Sequence, residues 1–158
     1  MSGILQRQVD LWFLAIRPKT LFAALAPVML GTALAYSLDH GRLLNAIAAL
    51  LGAIGIQIGT NLANDYWDAK KGADTEDRLG PVRVTSSGLL SPRSVFLAML
   101  IAFFAAGLAG LYLIYEAGWP VFWIGIISIF CGIIYTAGPF PLAYMGLGDV
   151  FTFVFFGP

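Results

Sequence analysis

Four apolar runs decide what this chain can become: Leu21–Leu38, Leu43–Ala63, Ser94–Tyr115 and Gly118–Ala137. Each is near the roughly 20 residues that an α-helix needs to cross the hydrocarbon layer of a bilayer. Backbone N–H and C=O groups find no water at that depth, so each run must satisfy them internally, which selects helix. Apolar residues are 59% of the chain and charged residues only 11%, whereas an ordinary soluble domain carries about a quarter charged residues. The expected fold class is all-α, a polytopic transmembrane helix bundle forming a single domain. A fifth run begins near Leu147 and has barely started at Phe155-Phe156-Gly157-Pro158. The chain thus reads as the N-terminal part of a longer protein, with four full spans and the start of a fifth.

The segments between the runs give orientation. Residues 4–16 place Leu5, Val9, Trp12, Phe13 and Ile16 on one helical face, opposite Gln6, Arg7 and Asp10. Such a helix lies in the membrane interface rather than across it, and Arg17-Pro18-Lys19-Thr20 forms a basic breaker before the first span. A cleaved signal peptide fits poorly, because basic residues follow the first helix and no small-residue cleavage site precedes further spans. Ser91-Pro92 reads as an N-cap with proline at the first helical position. Gly55 and Gly59 make a G-x-x-x-G spacing that lets another helix approach closely, although glycine is also simply tolerated in membrane helices. Eight of the nine Lys and Arg residues fall before the first span or between the second and third; only Arg42 lies in the first hairpin. That asymmetry puts the N-terminus and the 64–92 connection in the cytoplasm.

Within that connection and the helix before it lies the most informative stretch, Gln57 to Arg83. Asn61, Asn64, Asp65 and Asp68 fall at i, i+3, i+4 and i+7, so on a helix they share one face; Gln57 extends the stripe back one turn. Asp74 and Asp77 follow, with Lys70, Lys71, Arg78 and Arg83 around them. Carboxylates with cations close by suit a polyanion whose phosphates reach the protein partly through magnesium, a hard ion that binds through few carboxylates plus substrate phosphates. A solvated, salt-bridged loop capping two helices is the plainer reading. Acids and carboxamides at the mouth of an apolar helix favour the functional one. A charged head at the stripe and an apolar body among helices describe a prenyl diphosphate, whose allylic cation aromatic walls can help hold. The formal net charge of zero gives no hint of nucleic-acid binding. Cys131 rules out an intrachain disulfide, being the only cysteine, and its apolar neighbours suggest a packed core thiol. His40, alone of its kind, sits in the turn Asp39-His40-Gly41 and reads as a loop residue.

Asn61-x-x-x-Asp65-x-x-Asp68 resembles the first aspartate-rich motif of the UbiA family of intramembrane aromatic prenyltransferases, and Arg17-Pro18-Lys19-Thr20-Leu21 resembles the segment those proteins carry before their first span. The longer string N-L-A-N-D-Y-x-D-x-x-K-G-x-D-x-x-D-R-x-G-P-x-R is similar to the branch that prenylates 1,4-dihydroxy-2-naphthoate in menaquinone biosynthesis. So is the stretch from Tyr135-Thr136-x-Gly-Pro to Gly146-Leu147-Gly148-Asp149 and Phe155-Phe156-Gly157. The resemblance implies nine spans in two halves, each giving one aspartate-rich motif to a shared cavity. It further implies Mg2+ as cofactor, with polyprenyl diphosphate and 1,4-dihydroxy-2-naphthoate as substrates. Transfer of the polyprenyl group would release CO2 and diphosphate and give a demethylmenaquinone. The matching residues are Asn61, Asp65 and Asp68 for catalysis and metal. Asp74 is an additional metal candidate, displaced from the family's spacing because Gly72 stands where many members have aspartate. Asn64, Lys71, Arg78 and Arg83 are candidates for diphosphate or acceptor carboxylate, and each cation could equally be a positive-inside loop charge. Arg17 and Lys19 read as topology signals, and Asp149 as a cap, a supporting group or a substrate contact. The implied location is a bacterial plasma membrane, with a thylakoid membrane as the other setting. Another aromatic acceptor (4-hydroxybenzoate, homogentisate, or a chlorophyll or haem precursor) is the nearest rival, and a cation-binding transporter or scaffold is the rival from a different class.

Overall fold

In the computed structural model, residues 2–72 and 83–138 are described, together with Val150 and Phe153. Five helices follow one another: α1 (Ser2–Ile16), α2 (Pro18–Ser37), α3 (Leu43–Lys71), α4 (Pro92–Ala117) and α5 (Trp119–Ile134). Among the described residues there is no strand. Three helices, α2, α3 and α4, are long and apolar enough to cross a membrane. The expectation of four full spans is corrected here: α5 has 16 residues and is the shorter apolar helix. The fourth run stops early because Tyr135 to Gly138 turn out of the helix, with Gly138 at φ 79°. The expected start of a fifth span near Leu147 lies largely outside the described residues.

Two junctions need only one residue each. Between α1 and α2, Arg17 adopts φ 56°, and Pro18 opens α2. Proline suits the first turn because it has no N–H to leave unsatisfied and its φ is already helical. The breaker is therefore a single-residue elbow, and Lys19 and Thr20 belong to the span itself. Between α4 and α5, Gly118 takes φ 80°, a conformation glycine adopts without Cβ strain. The N-cap of α4 is as the sequence suggests: the Ser91 hydroxyl accepts from the Ser94 amide at 3.1 Å, and Pro92 opens the helix.

α3 is the central element, touching α1, α2, α4 and α5. Its seam with α4 is built on glycine. A Cβ at Gly55 would lie 2.9 Å from Ala106 Cβ and 3.1 Å from the Ala102 carbonyl oxygen; one at Gly59 would meet the Phe103 ring at 2.5 Å. The G-x-x-x-G spacing thus marks a close helix contact. α3 also runs two turns beyond the expected end at Ala63, closing at Gly72 in the left-handed conformation (φ 63°) with Lys70 and Lys71 in its last turn. The first residues of the 64–92 connection, expected as loop, are accordingly helical, and the polar stripe rides entirely on α3.

The buried core sits at that same end of α3. Leu11 and Ala15 of α1, Leu62 and Ala63 of α3, Val95 and Met99 of α4, and Val84 and Leu90 from the segment before α4 form one cluster. α1 therefore docks through Leu11 and Ala15, while Leu5, Val9 and Phe13 of its expected apolar face are exposed, as a face in contact with lipid would be.

Candidate functional site

The polar stripe is buried although it consists of carboxamides and carboxylates. Asn61, Asn64, Asp65 and Asp68 are all buried, Asp65 with 1% of its surface exposed. Groups of this kind are tolerated at such burial only with hydrogen-bonding partners, and the partners come from four different elements. The Asn61 amide nitrogen donates to the Ile16 carbonyl and to the Thr20 hydroxyl, both at 2.8 Å, and so closes the α1–α2 elbow. Asn64 Oδ1 accepts from the Thr136 hydroxyl at 2.9 Å, just beyond α5. Asp68 is ion-paired with Arg83. Asp65 Oδ1 accepts from the Thr85 amide at 3.4 Å, and the Val84 amide and the charges of Arg83 and Arg17 also act on it.

One arc of α3 therefore serves two sides. Gln57, Thr60, Asn61 and Asn64 line an open cavity of about 640 Å3 between α2, α3, α4 and α5, whose other walls are mostly apolar, among them Val28, Leu113 and Ile129. Asp65 and Asp68 are held by the segment that precedes α4. That segment, Arg83–Thr85, packs as a strap against α3. Val84 is fully buried in the core, and Leu89 and Leu90 amides return to its carbonyl at 2.9 and 3.0 Å. Burying one such side chain contributes about 1.5–3 kcal/mol, which fixes the strap with its arginine and threonine turned to the two carboxylates.

Among the other expected site residues, Arg83 is brought to the stripe by the strap. Lys71 is placed at the end of α5, donating to the Thr136 and Gly138 carbonyls at 2.7 Å each. Asp74, Arg78, Asp77 and Asp149 lie outside the described residues. Cys131 differs from expectation: it is half-buried and lines the cavity rather than the core. His40 is an exposed turn residue, its amide bonded to the Ala35 carbonyl at 2.9 Å. Sequence reasoning missed Thr20, Thr85 and Thr136, which partner the stripe, and set aside Arg17, whose charge reaches Asp65. Arg17 and Thr20 carried a signal, their place in the Arg-Pro-Lys-Thr segment, as did Thr136 in Tyr135-Thr136-x-Gly-Pro; Thr85 carried none.

The stripe suits a hard divalent cation in its donor chemistry. Asp65 and Asp68 offer carboxylate oxygens one turn apart, and Asn61, with its nitrogen committed to the elbow, keeps a carbonyl oxygen for metal. Among the described residues no group of three or more His, Cys, Asp or Glu side chains gathers. Two carboxylates and a carboxamide fit magnesium, which completes its shell with water and substrate phosphate instead of an all-protein cage.

A multi-pass helical membrane protein with a buried carboxamide and carboxylate stripe at the end of an apolar cavity is the class these features define. The chain belongs to the UbiA prenyltransferase family, whose profile matches residues 24–158. It is 43% identical over 93% of its length to the 1,4-dihydroxy-2-naphthoate octaprenyltransferase of Mycobacterium tuberculosis, covering 50% of that protein. With the Escherichia coli protein of the same name it shares 41% identity over 92% of its length and 49% of the relative's. The 2-carboxy-1,4-naphthoquinone phytyltransferase of Synechocystis is 33% identical over 94% of this chain and 48% of its own. The chain thus spans about half the length of the curated relatives it matches. No solved structure matches it.

Proposed function

We propose that the full-length protein transfers a polyprenyl group from polyprenyl diphosphate to 1,4-dihydroxy-2-naphthoate. The allylic C–O bond breaks with its electron pair going to diphosphate, a C–C bond forms to the ring, and the ring carboxylate leaves as CO2. The product is a demethylmenaquinone in its quinol form, so no oxidant is needed. The observation that carries this reading is the junction of the buried α3 stripe with the apolar cavity. Similarity to proteins named for this acceptor supports the choice of substrate.

Depth supports the same assignment. α3 has 29 residues, about 44 Å at 1.5 Å per residue, against roughly 30 Å of hydrocarbon. With Arg42 marking one boundary, about nine residues at the far end, including Asp65 and Asp68, stand in the headgroup zone. An amphiphile can then keep its diphosphate at the stripe while its tail occupies the cavity, whose volume falls in the usual range for ligand sites. Asn61, Asp65 and Asp68 would hold magnesium, whose charge stabilises the departing diphosphate. Arg83 orients Asp68 and adds positive charge beside it. Apolar walls exclude water from the allylic centre, which protects it from hydrolysis. Placement of the N-terminus and the stripe on the cytoplasmic side of a bacterial plasma membrane is supported by the distribution of Lys and Arg.

The test is initial rate against magnesium concentration for Asp68→Asn and Asp65→Asn in the full-length enzyme. Each exchange keeps size and removes charge, so we expect at least about a hundredfold loss, roughly 2.7 kcal/mol of transition-state stabilisation. Asp77→Asn, off the stripe, should do much less. Wild-type rate and magnesium dependence in Asp68→Asn would remove the site assignment.

A further inference from the structure

The Thr85 hydroxyl, in the strap, is a polar atom that the fold leaves unexplained. Thr85 is 8% exposed, and its hydroxyl has no hydrogen-bond partner. A buried hydroxyl without a partner destabilises the state that contains it, and a valine of the same shape would avoid the penalty. Such an atom is accounted for when a second state of the molecule uses it. The acceptor next to it is Asp65, already met by the amide of the same threonine at 3.4 Å. That bond is long for N–H···O, and an ionised carboxylate has about four acceptor positions. Three covalent bonds separate the threonine hydroxyl from its own amide nitrogen, so rotation about χ1 turns it toward the carboxylate that the amide faces.

We propose that Thr85 is a positioning residue for Asp65, donating from its hydroxyl and amide to one carboxylate oxygen and so presenting the other to a divalent cation. The arrangement resembles the support given to metal ligands elsewhere, where a hydrogen bond behind the ligand fixes its orientation and raises its basicity. The strap is suited to the task because Val84 anchors it in the core and Arg83 pairs with Asp68 on one side, while its amides meet Asp65 on the other. This inference rests on the reading of Asp65 as a metal ligand.

Manganese(II) binding to the full-length protein, followed by electron paramagnetic resonance with inorganic diphosphate present, separates the two ideas. Thr85→Val keeps shape and amide but removes the hydroxyl. It should weaken manganese binding about tenfold, the size of one hydrogen bond to a charged group, while the metal-free melting temperature stays level or rises. Thr85→Ser should bind manganese like wild type. Wild-type affinity in Thr85→Val, equal losses in the valine and serine variants, or a lowered metal-free melting temperature in Thr85→Val would each overturn the proposal. Asp65→Asn is the reference. If it lacks manganese binding while Thr85→Val retains it, only the role of Thr85 falls; if it binds as wild type, the metal assignment of Asp65 falls first.

Discussion

Removing the Arg83 guanidinium tests how the site is held together. In the Arg83–Asp68 pair the side chains are 7% and 6% exposed. Both charges have given up most of their hydration, and each has the other as a partner. Breaking a buried pair by deleting one partner typically costs about 3–5 kcal/mol, because the remaining charge stays in a low dielectric. For Arg83→Met we expect the lower part of that range, about 3 kcal/mol, since methionine keeps an apolar stem and Asp68 has a further polar interaction. The molecule contains its own control. Arg42 and Glu116 approach to 2.6 Å, yet Arg42 is 69% exposed, so solvent screens the pair and Arg42→Met should cost under about 1 kcal/mol. The double variant Arg83→Met/Asp68→Leu removes both buried charges and should recover most of the lost stability while leaving the enzyme inactive. The assay is unfolding of the full-length protein in mixed micelles by added dodecyl sulfate, followed by tryptophan fluorescence. If Arg83→Met destabilises no more than Arg42→Met, the pair is not desolvated, and the strap is held to α3 by Val84, Leu90 and the amides that meet Asp65.

Packing and topology offer two further checks. Gly55→Ala brings a Cβ to 3.1 Å from the backbone oxygen of Ala102, which side-chain rotation cannot relieve, so we expect about 1–3 kcal/mol of destabilisation in the same unfolding assay. Gly107→Ala, with nothing within 4 Å of the added Cβ, should be close to neutral. After replacement of Cys131, a cysteine at the exposed Lys70 should react with an impermeant maleimide from the cytoplasmic side, and one at His40 from the opposite side. The reverse labelling would invert the orientation and place the stripe outside the cell.

Those features of the fold that depend on local periodicity were legible in the sequence. Run length and apolar content marked α2, α3 and α4, Ser91-Pro92 marked the start of α4, and the spacing of Asn61, Asn64, Asp65 and Asp68 marked one arc of α3. What could not be read was the destination of each polar group. Asn61 reaches back to Ile16 and Thr20, Asn64 forward to Thr136, and Asp65 to Thr85. These partners are fixed by tertiary packing of single polar residues, and no repeat in the sequence announces them. The early end of α5 was hidden for a related reason: its apolar run continues through Ala137 after the helix has stopped at Ile134.

That early end bears on how the protein meets the bilayer. α5 has 16 residues, about 24 Å, some 6 Å less than a typical hydrocarbon layer. Backbone carbonyls freed beyond the last turn of a membrane helix find no partners in lipid. Lys71, reaching across from α3, gives its ammonium hydrogens to the carbonyls of Thr136 and Gly138, and its charge complements the negative end of the helix. The backbone can therefore turn out of α5 level with the stripe on α3, its freed carbonyls satisfied by one side chain of the neighbouring helix.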